Sequence, residues 1–279
     1  MMIGLIKAFG FLRNVKLATV TYAIKRPVAG NIARMIHGSL ISLILHFSTV
    51  VLFMTKQQIE EAAAQFPERA QKFKFLRVGV DTRFFAPTEA GEYDSGSSPP
   101  YVVVAGDNLR DEEFIRDTMQ GSDLTLIRLT QNRFVEEFWA RASASGSLNF
   151  AVSCKAHLPW NKVREIYQHA SAVLCFSDSS WHPAGWTVFT EALACGKHVV
   201  INSGLVATEA QRYQSAGGQA FIEVKNLNLE TAANALHSVI ARAHEVGPIN
   251  QQARDFAVQH LTLSHSTNDL TAVFEEMFK

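Results

Sequence analysis

The chain has 279 residues, of which 47% are hydrophobic and 19% are charged, and its formal net charge is zero. This length and composition allow a sizeable buried core and two domains. They exclude a disordered or fibrous protein.

The charged residues are unevenly distributed along the chain. Residues 1–59 hold seven Lys and Arg and no Asp or Glu, so the remainder carries a net charge of minus seven. A basic, apolar segment of this kind predicts contact with an anionic partner, either a membrane surface or a phosphate-bearing acceptor. The alternative explanation for this charge asymmetry is chance combined with truncation of the chain.

The sequence pattern of the N-terminal part predicts three strands and one long helix. The strands are Lys16–Ile24, Thr49–Met54 and Phe73–Val78, and the helix runs from about Pro27 to His46. A full doubly wound domain usually needs about five or more strands. We therefore predict only the last part of a Rossmann-like domain in residues 1–85.

No membrane span or signal peptide is expected. The apolar stretch Leu40–Met54 has 15 residues, fewer than the roughly 20 that span a bilayer, and it predicts the end of a buried helix followed by a strand. Lys7 and Arg13 interrupt the apolar N-terminus. The three cysteines lie in apolar runs without metal-ligand spacing, so we predict buried thiols in the cytoplasm, with the inner membrane face as a candidate location: Cys154, Cys175 and Cys195.

A linker and a second domain follow. Residues 86–100 are rich in Pro, Gly, Ser and acidic residues and lack periodicity, which is typical of a linker. From residue 101 to 279, apolar runs alternate with helical periods, the pattern of an α/β domain with a parallel sheet. The predicted strands are Tyr101–Ala105, Leu124–Leu129, Asn149–Val152, Ala172–Phe176, His198–Ile201 and Ala220–Val224.

Two helices of this domain are especially legible. One begins at Pro159 and places apolar residues, Tyr167 among them, on one buried face. The other follows Gly185 and has a single charged residue, Glu191, among apolar neighbours. Burying a lone carboxylate is expensive, so Glu191 should face a cleft or hold a fixed hydrogen-bond donor. An internal cap or ion pair is the alternative.

Three phrases of the sequence carry a resemblance to a known family. They are VGVDTRFFAP (78–87), WNKVREIYQHASAVLCF (160–176) and GWTVFTEALACGKHVV (185–200). Together they resemble the retaining, nucleotide-sugar-dependent glycosyltransferases of the group 1 type (family 4). The resemblance implies a GT-B fold, with a complete C-terminal donor-binding domain at 101–279 and an N-terminal, acceptor-side domain that lacks its first strands.

The resemblance also implies binding residues, although it assigns no catalytic residue. Glu191 corresponds to the carboxylate that holds the nucleotide ribose. The backbone amides around Gly185, Trp186 and Thr187 correspond to those that face the donor diphosphate at a helix N-terminus, where N–H groups and the helix dipole attract phosphate. Gly185 as a simple turn glycine is the alternative.

Other positions depart from the family pattern. Pro183 stands where the family usually has a second Glu. Asp107 and Glu112 stand where many members have Arg and Lys, so both charges are reversed. Arg110 is then the candidate cation for the diphosphate, because Arg can bind two phosphate oxygens at once. An ion pair with a neighbouring acid such as Asp111 is the alternative.

Two further residues are candidates for donor contacts. Lys155 lies where the family's loop passes the base, and His182 either contacts the sugar or caps a turn. Trp181 and Trp186 suit stacking on a base or sugar, although core packing is the commoner use. The sequence has no Asp-x-Asp pair at a strand end and no metal-ligand cluster, so we predict no metal and no cofactor.

The first functional hypothesis is a metal-independent, retaining glycosyltransferase. It moves a sugar from a nucleoside diphosphate to a glycan or lipid-linked acceptor, with membrane contact through residues 1–59 and no nucleic-acid partner. The second is a non-catalytic nucleotide-sugar-binding or interaction module of the same fold, and the third is a sugar-nucleotide epimerase.

Overall fold

The computed structural model describes most of the chain in two compact units. The first unit comprises Met1–Val78, Trp181–Pro183 and Ser264–Lys279, and the second comprises Gly79–Ser180 and Ala184–Leu263. The C-terminal helix thus groups with the first unit, whereas the predicted domains placed it in the second. The described residues are 16–21, 29–88, 100–120, 122, 124–144, 146, 150–151, 158–178, 181–214, 218–225, 228–247 and 249–279.

The first unit contains a three-stranded parallel sheet. Its order is β1-β2-β3, with strands β1 (Ala18–Thr21), β2 (Val50–Phe53) and β3 (Phe73–Phe75). The helices are α1 (Asn31–Phe47), α2 (Lys56–Gln65), a 3₁₀ helix (Pro67–Lys72) and, from the end of the chain, α10 (Leu263–Phe278). All three strands predicted for this part of the chain are present. β2 and β3 are shorter than predicted, and the predicted end of the first strand lies outside the described residues.

Strand β2 organises the core of the first unit because its side chains alternate between two faces. On one face Val51 and Phe53 join Leu45 of α1 and residues of α2. On the other face Val50 and Leu52 pack against α10. Both faces of this short sheet are therefore covered.

Helix α1 ends just before β2, as predicted for Leu40–Met54, but it is less buried than expected. Leu45 is its only buried residue, and the described part of the chain leaves four large apolar side chains of its first turns exposed: Ile32, Met35, Ile36 and Leu40. Within the described residues, no helix is both long and apolar enough to cross a membrane.

The second unit is built on a six-stranded parallel sheet. Its order is β6-β5-β4-β7-β8-β9. The strands are β4 (Tyr101–Ala105), β5 (Thr125–Leu129), β6 (Phe150–Ala151), β7 (Ala172–Cys175), β8 (His198–Asn202) and β9 (Ile222–Val224). All six strands predicted for this domain are present, and β4 has the predicted bounds.

Helices connect these strands. They are α3 (Glu112–Met119), α4 (Arg133–Ala144), α5 (Trp160–His169), α6 (Trp186–Ala194), α7 (Leu205–Gln211), α8 (Leu229–Val246) and α9 (Gln251–His260). The central strands are almost entirely buried, as expected for a parallel sheet that helices cover on both faces. Cys175 and Cys195 are buried free thiols, as predicted, whereas Cys154 and most of the predicted linker lie outside the described residues.

The strand order fixes where a ligand can bind. In chain order the sheet reads 3-2-1-4-5-6, so the direction of winding reverses between β4 and β7. In open α/β sheets, ligands bind at this reversal, outside the carboxyl ends of the two strands. The loops that follow Ala105 and Cys175 are therefore the expected binding loops.

Candidate functional site

The loops after β4 and β7 are joined by backbone hydrogen bonds. The amide of Asp178 donates to the carbonyl of Leu109 at 2.9 Å, and Arg110 and Ser177 form an isolated antiparallel bridge. The Asn202 side chain, at the end of β8, accepts from the Ser177 amide and donates to its carbonyl, both at 2.9 Å. These bonds fix the two loops together at the reversal of the sheet.

Arg110 lies at the centre of this junction. Leu109, directly before it, has a φ of 53°, a left-handed conformation that costs free energy in a residue other than glycine. This backbone turns the Arg110 side chain back over β4, where Nε donates to the carbonyl of Ala105 at 3.0 Å. The strained turn therefore helps to aim the guanidinium at the carboxyl end of the strand.

The Arg110 guanidinium has no anionic partner among the described residues. Its Nη1 is buried and has no hydrogen-bond partner. The ion pair considered from the sequence is not formed, because the Asp111 side chain instead caps α3 by accepting from the amide of Phe114 at 3.0 Å. Burial lowers the pKa of Arg110, and the nearby Arg128 guanidinium lowers it as well. A buried unpaired cation is costly unless an anion joins it.

Gly185 makes room for this guanidinium. It is the N-cap of α6, with a φ of 87°. A Cβ atom at Gly185 would lie 2.9 Å from Arg110 Nη1, and one at Gly106, whose φ is 82°, would lie 3.3 Å from Nη2. Gly185 is therefore both a turn glycine and a contact surface for Arg110.

The first turn of α6 lies at the same candidate site. No side chain caps this helix N-terminus, so its backbone N–H groups and the positive end of the helix dipole are directed toward the loop. Thr187 is exposed in the same turn. A guanidinium beside an uncapped helix N-terminus is suited to bind an anion with several oxygen atoms, such as a phosphate.

A second buried arginine, which the sequence analysis missed, explains the reversed charges. Arg128 of β5 has no exposed side-chain surface, and its Nε donates to Glu112 Oε2 at 3.1 Å. The indole N–H of Trp139 donates to the same oxygen at 2.7 Å. Arg128 also donates to the carbonyl of Gly106 at 2.9 Å. Both oxygens of the Glu112 carboxylate thus accept hydrogen bonds from Arg128 or Trp139.

Asp107 belongs to the same network. Its carboxylate accepts from the Thr130 hydroxyl and from the amide of Gln131, the latter at 3.0 Å, and it lies 3.8 Å from Arg128. The sequence did contain a sign of this network. Arg128 stands in the apolar run of β5, two residues after the buried Leu126, and is therefore on the same face of the strand. Asp107 and Glu112 are therefore partners of Arg128, and they leave Arg110 unpaired.

Glu191 lies in a buried helix, as predicted, and it is 5% exposed. Burial raises the pKa of Glu191 to about 7, and the Tyr167 side chain on α5 acts against that rise. The sequence placed Tyr167 on the buried face of α5 but did not predict its influence on Glu191.

The structure does not bring the remaining predicted donor residues together at one site. Trp186 is buried against Phe189, with ring centroids 6.3 Å apart, so it packs in the core. The His182 ring contacts the Trp181 ring edge to face. His182 belongs to the first unit, and burial lowers its pKa. Lys155 lies outside the described residues. Within the part of the chain that is described, no cluster of three or more His, Cys, Asp or Glu could hold a metal ion.

Comparison of the sequence with protein-family models and with curated proteins gives no match. The structure, however, is similar to solved glycosyltransferases. HepE from Anabaena, solved with UDP and glucose, has a TM-score of 0.74 at 16% identity, covering 98% of this chain and 75% of HepE. A Rickettsia africae glycosyltransferase gives 0.67 at 14%, covering 98% and 73%. Sucrose-phosphate synthase from Thermosynechococcus elongatus gives 0.72 at 15%, covering 99% and 71%. These likenesses confirm the predicted α/β, GT-B fold.

Proposed function

We propose that this protein is a glycosyltransferase that moves a sugar from a nucleoside diphosphate to a glycan or lipid-linked acceptor. The observation that carries the proposal is the buried Arg110 guanidinium, with Nη1 unpaired, beside Gly185 at the N-terminus of α6. In a nucleoside diphosphate sugar, the diphosphate is the anion that this site would take. It is also the leaving group of the transfer reaction.

The same geometry suggests how transfer is promoted. As the bond between the sugar and the diphosphate breaks, negative charge grows on the phosphate oxygens, and groups already aimed at that charge lower the barrier. Arg110 and the amides of the first turn of α6 supply this stabilisation. We propose that they serve in place of a metal ion and that transfer retains the configuration of the sugar, as the sequence resemblance implies.

The remaining parts of the donor are assigned by the sequence resemblance. Glu191, the carboxylate of α6, would hold the ribose, and Lys155 and His182 would contact the base and the sugar. HepE has been solved with UDP and glucose bound, which supports a uridine nucleotide as the first donor to test here. A nucleotide-sugar epimerase of the same fold is tested by the same panel.

A non-catalytic binding module is the second candidate, because Pro183 replaces a family carboxylate near the sugar. Calorimetry with UDP and UMP, followed by transfer and hydrolysis assays with a panel of UDP-sugars, distinguishes the two. Binding without turnover would favour the module. Failure to bind any nucleoside diphosphate would contradict both.

Arg110→Ala is the direct test of the anion site. Because Arg110 is expected to meet the distal phosphate, the variant should lose about 10- to 150-fold in UDP affinity, equivalent to 1.5–3 kcal/mol for a hydrogen bond to a charged group, and much less in UMP affinity. Arg133→Ala, which removes an exposed arginine paired with Glu137, is the matched control. Equal losses for UDP and UMP would contradict the assignment.

We also propose that the first unit contacts an anionic membrane, where a lipid-linked acceptor would lie. The exposed side chains Ile32, Met35 and Ile36 are 72%, 67% and 53% exposed and follow the i, i+3, i+4 spacing of one helical face. They lie in a segment, residues 1–59, that has seven cations and no acid. An apolar face within a basic segment suits insertion at an anionic surface. This contact would place the protein at the cytoplasmic face of the membrane.

Vesicle co-sedimentation tests this surface. The protein should bind vesicles that contain phosphatidylglycerol, and binding should weaken between about 0.05 M and 0.5 M salt because the Debye length shortens. Met35→Glu should weaken binding about tenfold or more, since one apolar side chain no longer enters the interface. Phe134→Glu, at an apolar position 80% exposed in the second unit, should bind normally. Equal losses for the two variants would exclude α1 as the contact surface.

A further inference from the structure

Asn202 is the last residue of β8, and the neighbouring strand β9 holds its backbone. It pairs with Val224 in the parallel ladder of these two strands. The amide of the next residue, Ser203, donates to the Val224 carbonyl at 3.1 Å. The Asn202 side chain therefore extends from a fixed element, as a group that orients another must.

The side-chain amide of Asn202 takes the place of a backbone peptide group beside the loop after β7. The ladder of β7 and β8 ends with the pair Cys175 and Ile201, where β7 itself ends. Beyond this pair, Asn202 Oδ1 accepts from the Ser177 amide and Nδ2 donates to the Ser177 carbonyl, both at 2.9 Å. Because Asn carries a donor and an acceptor together, one side chain binds both backbone groups of Ser177.

The same loop supports the backbone on which Arg110 lies. Ser177 forms an antiparallel bridge with Arg110, and the amide of Asp178 donates to the carbonyl of Leu109 at 2.9 Å. Leu109 has the left-handed φ of 53°, a conformation that persists only where the surrounding structure holds it. A series of hydrogen bonds and backbone pairing therefore links Asn202 to the turn that directs the Arg110 guanidinium.

We propose that Asn202 is a positioning residue that, through the Ser177 backbone, holds the Arg110 guanidinium where it meets the distal phosphate of the donor. This inference rests on the proposed function. Asn202 acts through the loop after β7 and not by contact with the nucleotide. It therefore controls the preference of the site for a diphosphate over a monophosphate.

Two uncharged replacements test this role without adding a charge near the phosphates. Asn202→Ala removes both bonds to Ser177, and Asn202→Ser keeps a polar side chain that is too short to make them. Each variant should lose about 3- to 30-fold in UDP affinity, a part of the loss expected for Arg110→Ala, because the guanidinium is less well held but still present. UMP affinity should change much less.

The experiment is calorimetry with UDP and UMP on the full chain, together with thermal unfolding of each variant. Asn228→Ala is the matched control, because the Asn228 side chain caps α8 by accepting from the Thr231 amide at 2.9 Å. Loss of that cap should lower the unfolding temperature and leave the ratio of UDP to UMP affinity unchanged. In an Arg110→Ala background, Asn202→Ala should cause little further loss of UDP affinity, since both changes act on the same contact.

The outcomes separate this role from the proposed function. If the wild type binds no nucleoside diphosphate, the proposed function fails and this inference falls with it. If the wild type binds UDP but the Asn202 variants keep its ratio of UDP to UMP affinity, only the positioning role is overturned. Additive losses in the double variant with Arg110→Ala overturn it as well.

Hydrogen exchange of the wild type decides the matter if neither Asn202 variant folds. Amides of Ser177 and Asp178 that are protected about a hundredfold or more in the free protein would support a loop held in advance of binding. Exchange of both amides at the rate of an unfolded chain would overturn the proposal.

Discussion

Gly185→Ala is the most informative single change in the anion site. Gly185 has a φ of 87°, and an added Cβ atom would lie 2.9 Å from Arg110 Nη1. The methyl group would therefore act twice. It strains the backbone, and it pushes the guanidinium away from the N-terminus of α6.

The two effects have different magnitudes and different readouts. A left-handed conformation costs about 1–2 kcal/mol for a residue with a Cβ atom, which should lower the unfolding temperature by roughly 2–8 °C. Displacing the guanidinium removes at least one charge-assisted hydrogen bond to the diphosphate, about 1.5–3 kcal/mol. UDP affinity should therefore fall about 10- to 150-fold, since about 1.4 kcal/mol corresponds to a factor of ten.

A substitution at a second glycine separates the effect of backbone strain from the effect of displacing the Arg110 guanidinium. Gly146 also has a positive φ, 71°, but an added Cβ atom there would meet no atom within 4 Å. Gly146→Ala should lower the unfolding temperature without changing UDP affinity. In an Arg110→Ala background, Gly185→Ala should lose most of its effect on binding, because both changes remove the same contact. If Gly185→Ala loses as much stability as Gly146→Ala but binds UDP with normal affinity, then Arg110 and the N-terminus of α6 do not bind the diphosphate together.

Three further predictions concern buried charges. Glu191→Gln should keep the fold and lose about 1–3 kcal/mol of nucleotide binding, measured by calorimetry; unchanged affinity would remove Glu191 from the site. Glu112→Lys, which installs the residue of the resembled family, should destabilise the protein by about 3–5 kcal/mol in urea denaturation because it removes the closer carboxylate of the buried Arg128 and replaces it with a cation; increased UDP affinity with normal stability would contradict the network. Burial lowers the pKa of His198 to about 4 from an ordinary 6.5, so the unfolded state takes up the proton first on acidification. Stability should fall between about pH 6.5 and pH 4, and urea denaturation of His198→Leu should show a smaller fall over the same range.

The sheet of the second unit was largely predictable because parallel strands buried on both faces are short, continuous apolar runs. YVVVA at Tyr101–Ala105 coincides with β4, and the apolar helix after Gly185 was correctly interpreted as buried. Strand ends were less accurate: Phe176 was predicted as strand, whereas β7 ends at Cys175, and the strand predicted at Ala220–Val224 begins only at Ile222. Loop backbone is set by hydrogen bonds between segments distant in sequence, such as Leu109 to Asp178.

Pairings between distant residues could not be predicted from the sequence. Arg128 and Glu112 are 16 residues apart and meet only because β5 lies beside β4. The grouping of α10 with the first unit depends on Val273 and Met277 covering β2, and no local pattern marks that return of the chain.

The charge arrangement of the anion site follows from these pairings. Read as a list, Asp107, Arg110 and Glu112 have a net charge of minus one, which would repel a diphosphate. In the structure, Arg128 forms ion pairs with Glu112 and Asp107. The two carboxylates and Arg128 therefore form a network that does not include Arg110. Arg110 then faces the site alone, supported by the helix dipole of α6, and Gly106 and Gly185 allow its close approach. The acidic residues at the positions where the resembled family has cations therefore do not argue against the proposed phosphate binding, because they neutralise Arg128 and leave Arg110 without an anionic partner.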